Sequence, residues 1–124
     1  MKAQNRTLEQ LALTYATLLH QGDAAGLRGL FHPSSDLRWQ EDGQLKTMTA
    51  AQFFELVGQS PSAHSQGHPE DNFIITLDRS DENTGFVKIR LRMPPNIYTD
   101  YLIALKLEEG WTIVSKTFRA ESTE

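Results

Sequence analysis

The sequence predicts an α+β fold, with N-terminal helices on one face of a curved sheet that ends in a long-stranded antiparallel meander. Three observations predict it. Two apolar helical stretches each open on a capping-box spacing; an Asp-Gly pair sits between two alternating segments; and the C-terminal part is a series of alternating runs parted by turn signals. A chain of 124 residues is long enough for one domain, expected over 1–124.

The first helix is read from "TLEQLALTYATLLHQGD". Thr7 and Gln10 can satisfy each other's free N–H groups, Leu8, Leu11, Tyr15, Leu18 and Leu19 recur on one face, and Gly22 ends the helix. Asp23 can cap a second helix, "AAGLRGLF", with Leu27, Leu30 and Phe31 as its apolar edge and Pro33 closing it. "DLRWQEDGQLKTM" alternates around Asp42-Gly43 and reads as a hairpin, with Leu37, Trp39 and Glu41 on one side of its first strand. A third helix, "TAAQFFELVG", carries the spacing Thr49 to Gln52, the apolar trio Phe53, Phe54 and Val57, and Gly58 as its stop. The polar "QSPSAHSQGHPE" is a loop. Four strands follow: "NFIITLDR", "GFVKIRLRM", "IYTDYLIALKL" and "WTIVSKTFR", separated by "SDENTG", "PPN" and "EEG".

Bulk properties exclude several classes. A net charge of −4 argues against nucleic-acid binding, which needs a basic face to displace counterions. The chain has no cysteine, hence no disulfide, thiolate nucleophile or cysteine-based zinc site. "MKAQNRTLEQ" lacks a signal peptide's apolar core and no apolar run is long enough to span a bilayer, so a cytoplasmic protein is expected. His64 and His68 are four apart, but Gly67 and Pro69 forbid the helix that a two-histidine metal motif needs, and no metal is expected. With no nucleophile elbow, phosphate-cradling loop or dinucleotide fingerprint, no cofactor is expected either.

The last hairpin places Asp100 and Lys116 among apolar residues. With a three-residue "EEG" loop, Leu107 faces Trp111, Leu102 faces Lys116 and Asp100 faces Phe118. The two charges are then diagonal neighbours on one face, roughly 7–8 Å apart. A two-residue loop puts them on opposite faces. The three-residue register is the one expected, because it gathers Ile97, Tyr101, Ile103, Leu105, Leu107, Trp111 and Ile113 as core beneath the helices. It leaves Tyr98, Asp100, Leu102, Val114, Lys116 and Phe118 as a dimerising surface or, where the sheet bends, a pocket wall. Asp100 and Lys116 then form either a structural ion pair at a subunit interface or a site in which Asp100 acts as general base. His32, expected at the second helix's C-terminus, is the other acid/base candidate. Lys88, Arg90 and Arg92 make a basic stripe, read as solvated or pairing across a dimer.

"YATLLHQGDAAGLRGLFHPSSDL", the "DG" hairpin, "SP" after the third helix, "YTDYL" and "GWTIVSKTF" together resemble the nuclear-transport-factor-2-like superfamily and, within it, the group described as putative lumazine-binding. The resemblance spans nearly the whole chain. It implies a cone-shaped fold in which a strongly curved mixed or antiparallel sheet wraps around the helices, a pocket at the open end of the cone and a homodimer built on the sheet. Relatives of that kind include ketosteroid isomerases, dehydratases and polyketide cyclases. No catalytic Tyr/Asp pair of the isomerases is matched residue by residue, so their activity is not carried over. The expectation is a homodimeric small-molecule-binding or accessory protein whose apolar or aromatic ligand meets Trp39, Phe53, Tyr98, Asp100 and Lys116. The alternatives are a cofactor-free lyase or isomerase using Asp100 and His32, and a dimerisation module with a filled cavity.

Overall fold

Local signals in the chain start and stop the helices. In the computed structural model, which describes residues 5–123, helix α1 (Leu8–Gln21) begins with the Thr7–Gln10 capping box and ends at Gly22, whose φ of 73° suits glycine. Residues 1–4 and 124, the ends of the single domain expected over 1–124, lie outside the described residues. Helix α3 (Ala50–Gln59) opens on the second box, Thr49–Gln52; it runs through Gly58, the expected stop, to a cap at Ser60. Helix α2 (Ala24–Arg28) is shorter than expected. Phe31 already belongs to β1 (Phe31–Glu41), and Pro33 lies inside that strand rather than closing a helix.

The remaining strands are β2 (Gln44–Thr49), β3 (Asn72–Arg79), β4 (Thr84–Met93), β5 (Asn96–Leu107) and β6 (Gly110–Ser122). They form one mixed sheet in the order β2-β1-β6-β5-β4-β3. Neighbours pair antiparallel except β1 and β6, which run parallel. The β1–β2 hairpin turns at Asp42 and Gly43, both at positive φ (53° and 79°), as a two-residue turn between right-twisted strands requires.

The core lies between the helices and the inner face of the sheet. Leu8, Leu11 and Tyr15 of α1 share it with Val87, Ile89 and Leu91 of β4, all 2% exposed or less. Each such fully buried aliphatic side chain stabilises the fold by about 1.5–3 kcal/mol. Helix and sheet approach so closely at Gly85 that any Cβ there would strike the Leu8 side chain. The rings of Phe53 and Phe54 pack against Phe31, with centroids 5.8 Å and 5.4 Å away, and fasten α3 over β1.

The last hairpin lacks the expected three-residue loop, yet farther from the turn it recovers the pairing that loop implied. Its turn has two residues: Leu107 pairs with Gly110 and Lys106, not Leu107, faces Trp111. Val114 is then bulged, since Ala104 faces Ile113 while Ile103 faces Ser115. Beyond the bulge Leu102 faces Lys116 and Asp100 faces Phe118, the pairing the longer loop would have produced. The inner side of β6 therefore changes from odd residues (Trp111, Ile113) to even ones (Lys116, Phe118), whereas β5 buries Asp100, Leu102 and Ala104 throughout. This corrects the expected core face. Tyr101, Ile103 and Leu107 point outward and are 36%, 38% and 41% exposed.

Candidate functional site

The bulge decides where the charges go. By turning β6 over at Val114, it brings Lys116 to the same inner face as Asp100, and both side chains are buried, 4% and 1% exposed. Lys116 Nζ lies 3.6 Å from Asp100 Oδ2. The face carrying this pair is the interior, not the outer sheet surface on which a subunit interface was considered.

The third member of the cluster is Tyr15. Its place in the leucine ridge of α1 gave no hint of a polar role, yet the fully buried phenol donates a 2.5 Å hydrogen bond to Asp100 Oδ2. Burial first, and then the neighbouring Asp100 carboxylate and the bond to it, push the phenol well above its usual range. Asp100 Oδ1 is buried without a hydrogen-bond partner among the described residues. Three rings surround the lysine: Nζ lies 4.2 Å from the centroid of Phe53 and 5.2 Å from those of Tyr15 and Phe118. Burial lowers the Lys116 pKa, against the opposing pull of Asp100.

Asp100 and Lys116 are the buried charged members of the lining of a cavity of about 440 Å³, a size that suits a small organic molecule, while Tyr15 reaches it only through its bond to Asp100. Phe53, Tyr98 and Phe118 line it with Leu37 and Met48, and Pro94-Pro95 and the loop after α3, through Pro61, Ser62, Ala63 and Gln66, complete the wall. That loop is tied to α1. The His64 N–H donates to the His20 carbonyl, His20 Nε2 bonds the His68 carbonyl oxygen, and the Thr17 hydroxyl donates to Glu70. The Thr17 bond, aided by one from Asn72, holds the Glu70 carboxyl below its usual range. Among the described residues no group of three or more His, Cys, Asp or Glu is placed to hold a metal ion.

Of the residues singled out from sequence, Phe53, Tyr98, Asp100 and Lys116 meet at this cavity. Trp39 does not line it; its ring packs behind Phe118, with centroids 5.1 Å apart. His32 is exposed and bonded to Ser34, because helix α2 ends before it and four residues of β1, 32–35, loop out between the pairs Phe31–Ile113 and Asp36–Ser115. Lys88, Arg90 and Arg92 share the outer face of β4, as expected. A tyrosine in a leucine ridge and an aspartate in an apolar strand were both visible in the sequence. Their pairing was not, since the two are 85 positions apart.

Comparison with known proteins agrees with the architecture. Residues 3–119 match the family described as "Putative lumazine-binding". Aldolase FrzH from Cladobotryum sp. is 29% identical over 111 residues, covering 88% of this chain and 85% of that protein. An NTF-2-like protein of unknown function from Silicibacter pomeroyi superimposes with a TM-score of 0.79 at 19% identity, over 92% of each chain. A ketosteroid isomerase-like protein from Erwinia carotovora atroseptica does so with a TM-score of 0.71 at 13% identity, over 93% of this chain and 94% of that one. The two structural likenesses establish the nuclear-transport-factor-2-like α+β fold. No helix among the described residues is long and apolar enough to cross a membrane.

Proposed function

The chain belongs to the "Putative lumazine-binding" family, and on that footing we propose that its cavity takes a small, mainly apolar or aromatic carbonyl compound and moves a proton on it without a cofactor, as a lyase or isomerase does. One observation carries the reading: Asp100 is a buried member of the cavity lining, with one oxygen held by Tyr15 and the other uncommitted. Leaving a carboxylate oxygen buried and unpaired costs roughly 1–3 kcal/mol or more, a cost that a bound ligand's proton would offset. A general base needs a lone pair that no other bond occupies, and the Tyr15 bond, made to Oδ2, leaves that of Oδ1 free. The similarity to a protein called an aldolase makes carbonyl compounds the class to try first, because aldol chemistry breaks and makes bonds beside a carbonyl group. Tyr15 takes the place that His32 held as partner to Asp100.

Phenylacetone is a suitable probe. The protein should accelerate deuterium uptake at its α-carbon in D2O, followed by NMR, and Asp100→Asn should slow that uptake by about 10²–10⁴-fold. Uptake no faster than in buffer, or unaffected by the substitution, would reject proton transfer by Asp100. Binding without turnover is the second reading, favoured by the Lys116–Asp100 contact and the rings around the lysine, which suffice as a structural pair. It is distinguished by phenylacetone-induced NMR shifts at Phe53 and Phe118 in the absence of deuterium uptake.

The same reading keeps the chain a homodimer joined through the outer face of the sheet. Phe73, Tyr101 and Ile103 are 53%, 36% and 38% exposed there, and Phe86 stacks on Tyr101 beside them. A partner covering that apolar area would remove it from water.

A further inference from the structure

We propose that Lys116 forms an imine, its Nζ attacking the carbonyl carbon of a ketone or 1,3-diketone held in the cavity. The proposal rests on the carbonyl-compound reading above and adds a covalent step to it. Three features of the site support it. Lys116 lines the cavity and keeps 5% of its side-chain surface accessible, so the amine is enclosed yet reachable from inside. An ammonium group has three donors, but here the nearest carboxylate oxygen, Asp100 Oδ2, is 3.6 Å away, beyond a good hydrogen bond, and already accepts the hydrogen bond of the Tyr15 hydroxyl. Three ring faces stand around the nitrogen, Phe53 at 4.2 Å and Tyr15 and Phe118 at 5.2 Å, and such faces suit a flat conjugated group beside it. Desolvation in such a site raises the share of neutral, nucleophilic amine.

The chemistry balances with the residues at hand. The Nζ lone pair forms the C–N bond while the carbonyl π pair moves to oxygen. One proton passes from nitrogen to that oxygen through the Asp100 carboxylate, and a second, from solvent, lets the hydroxyl leave as water while the nitrogen lone pair closes a protonated C=N bond. An α-proton then leaves to Asp100, and the C–H pair becomes the C=C bond of a neutral enamine. Reprotonation at carbon and addition of water reverse the sequence and free the lysine. Tyr15 acts here as a positioning residue, since it touches Asp100 and not the reacting carbon.

Acetylacetone tests the proposal on the full chain. A 1,3-diketone stops at the stable conjugated enaminone, which absorbs in the near ultraviolet and adds the mass of the diketone less one water. Peptide mapping should place the adduct on Lys116, formed about tenfold faster than on the exposed Lys106. Asp100→Asn should slow its formation, and Lys116→Met should abolish it with the circular dichroism spectrum unchanged. Because the wild-type map alone decides the matter, the proposal stays open to refutation even if a variant fails to fold. An adduct confined to surface lysines would overturn it. NMR shifts at Phe53 and Phe118 without an adduct would overturn the imine step and leave the pocket reading standing; no shifts and no adduct would remove both.

Discussion

Replacing Tyr15 by Phe removes a single oxygen from the centre of the molecule, and the cost can be worked from the contacts. The ring remains: it is fully buried and tilted 59° against Phe31 with centroids 6.1 Å apart, a packing that Phe reproduces. What goes is the 2.5 Å bond to Asp100 Oδ2. Hydrogen bonds to charged groups contribute about 1.5–3 kcal/mol, and Asp100 Oδ1 has no partner to compensate. The loss should therefore be about 2 kcal/mol. For a chain of 124 residues that corresponds to a fall in Tm of about 6–10 °C. Urea unfolding followed by tryptophan fluorescence would measure it, with the slope unchanged and the midpoint lowered. A double-mutant cycle with Asp100→Asn refines the test. The Asn side chain still accepts from the phenol at about half the strength, so the coupling energy should be about 1 kcal/mol. A Tyr15→Phe protein within about 0.5 kcal/mol of wild type, or strict additivity with Asp100→Asn, would refute the bond as a stabilising contact.

Two further predictions concern pH and assembly. The Tyr15 phenol is raised above its ordinary 10.0, so the stability it contributes is complete below pH 10 and is lost as pH climbs towards the folded value; Lys116 is lowered from 10.5, so its share of the stability rises with pH up to about that point. Unfolding free energies measured between pH 8 and 11, roughly the window those directions define, should lose the alkaline fall in Tyr15→Phe and the preceding rise in Lys116→Met; identical profiles for all three proteins would contradict this. For assembly, Ile103→Glu puts a charge on the exposed apolar face of β5 and should shift a dimer to monomer in analytical ultracentrifugation, whereas an unmoved equilibrium would exclude this face as the interface.

The elements with strong local signals were legible in the sequence. Both capping boxes and the Asp42-Gly43 turn act within a few residues, and each formed where its chemistry placed it. The diagonal pairing of Asp100 and Lys116 was also legible, but the face they occupy was not. In β5 the more apolar side, with Ile103 and Leu107, is the one left outside, and the buried side carries an aspartate. Hydrophobic alternation therefore pointed to the wrong face, and the bulge at Val114, two residues against one, has no sequence mark in a run of β-formers. Phe31 was assigned to a helix, and His32 to the position just after it, but that helix stops at Arg28, because pairing of β1 with β6 outweighs the weak propensity of a glycine-bearing segment. The Tyr15–Asp100 bond depends on the whole fold and had no local signal to announce it.

Helix α1 has two attachments, and they pull on the same rod. Its Tyr15 grips the carboxylate in one wall of the chamber, while Thr17 and His20, less than two turns onward, anchor the loop that forms another. Both walls thus share one beam. Whatever shifts that loop along its hydrogen bonds therefore acts on the same helix that holds the carboxylate.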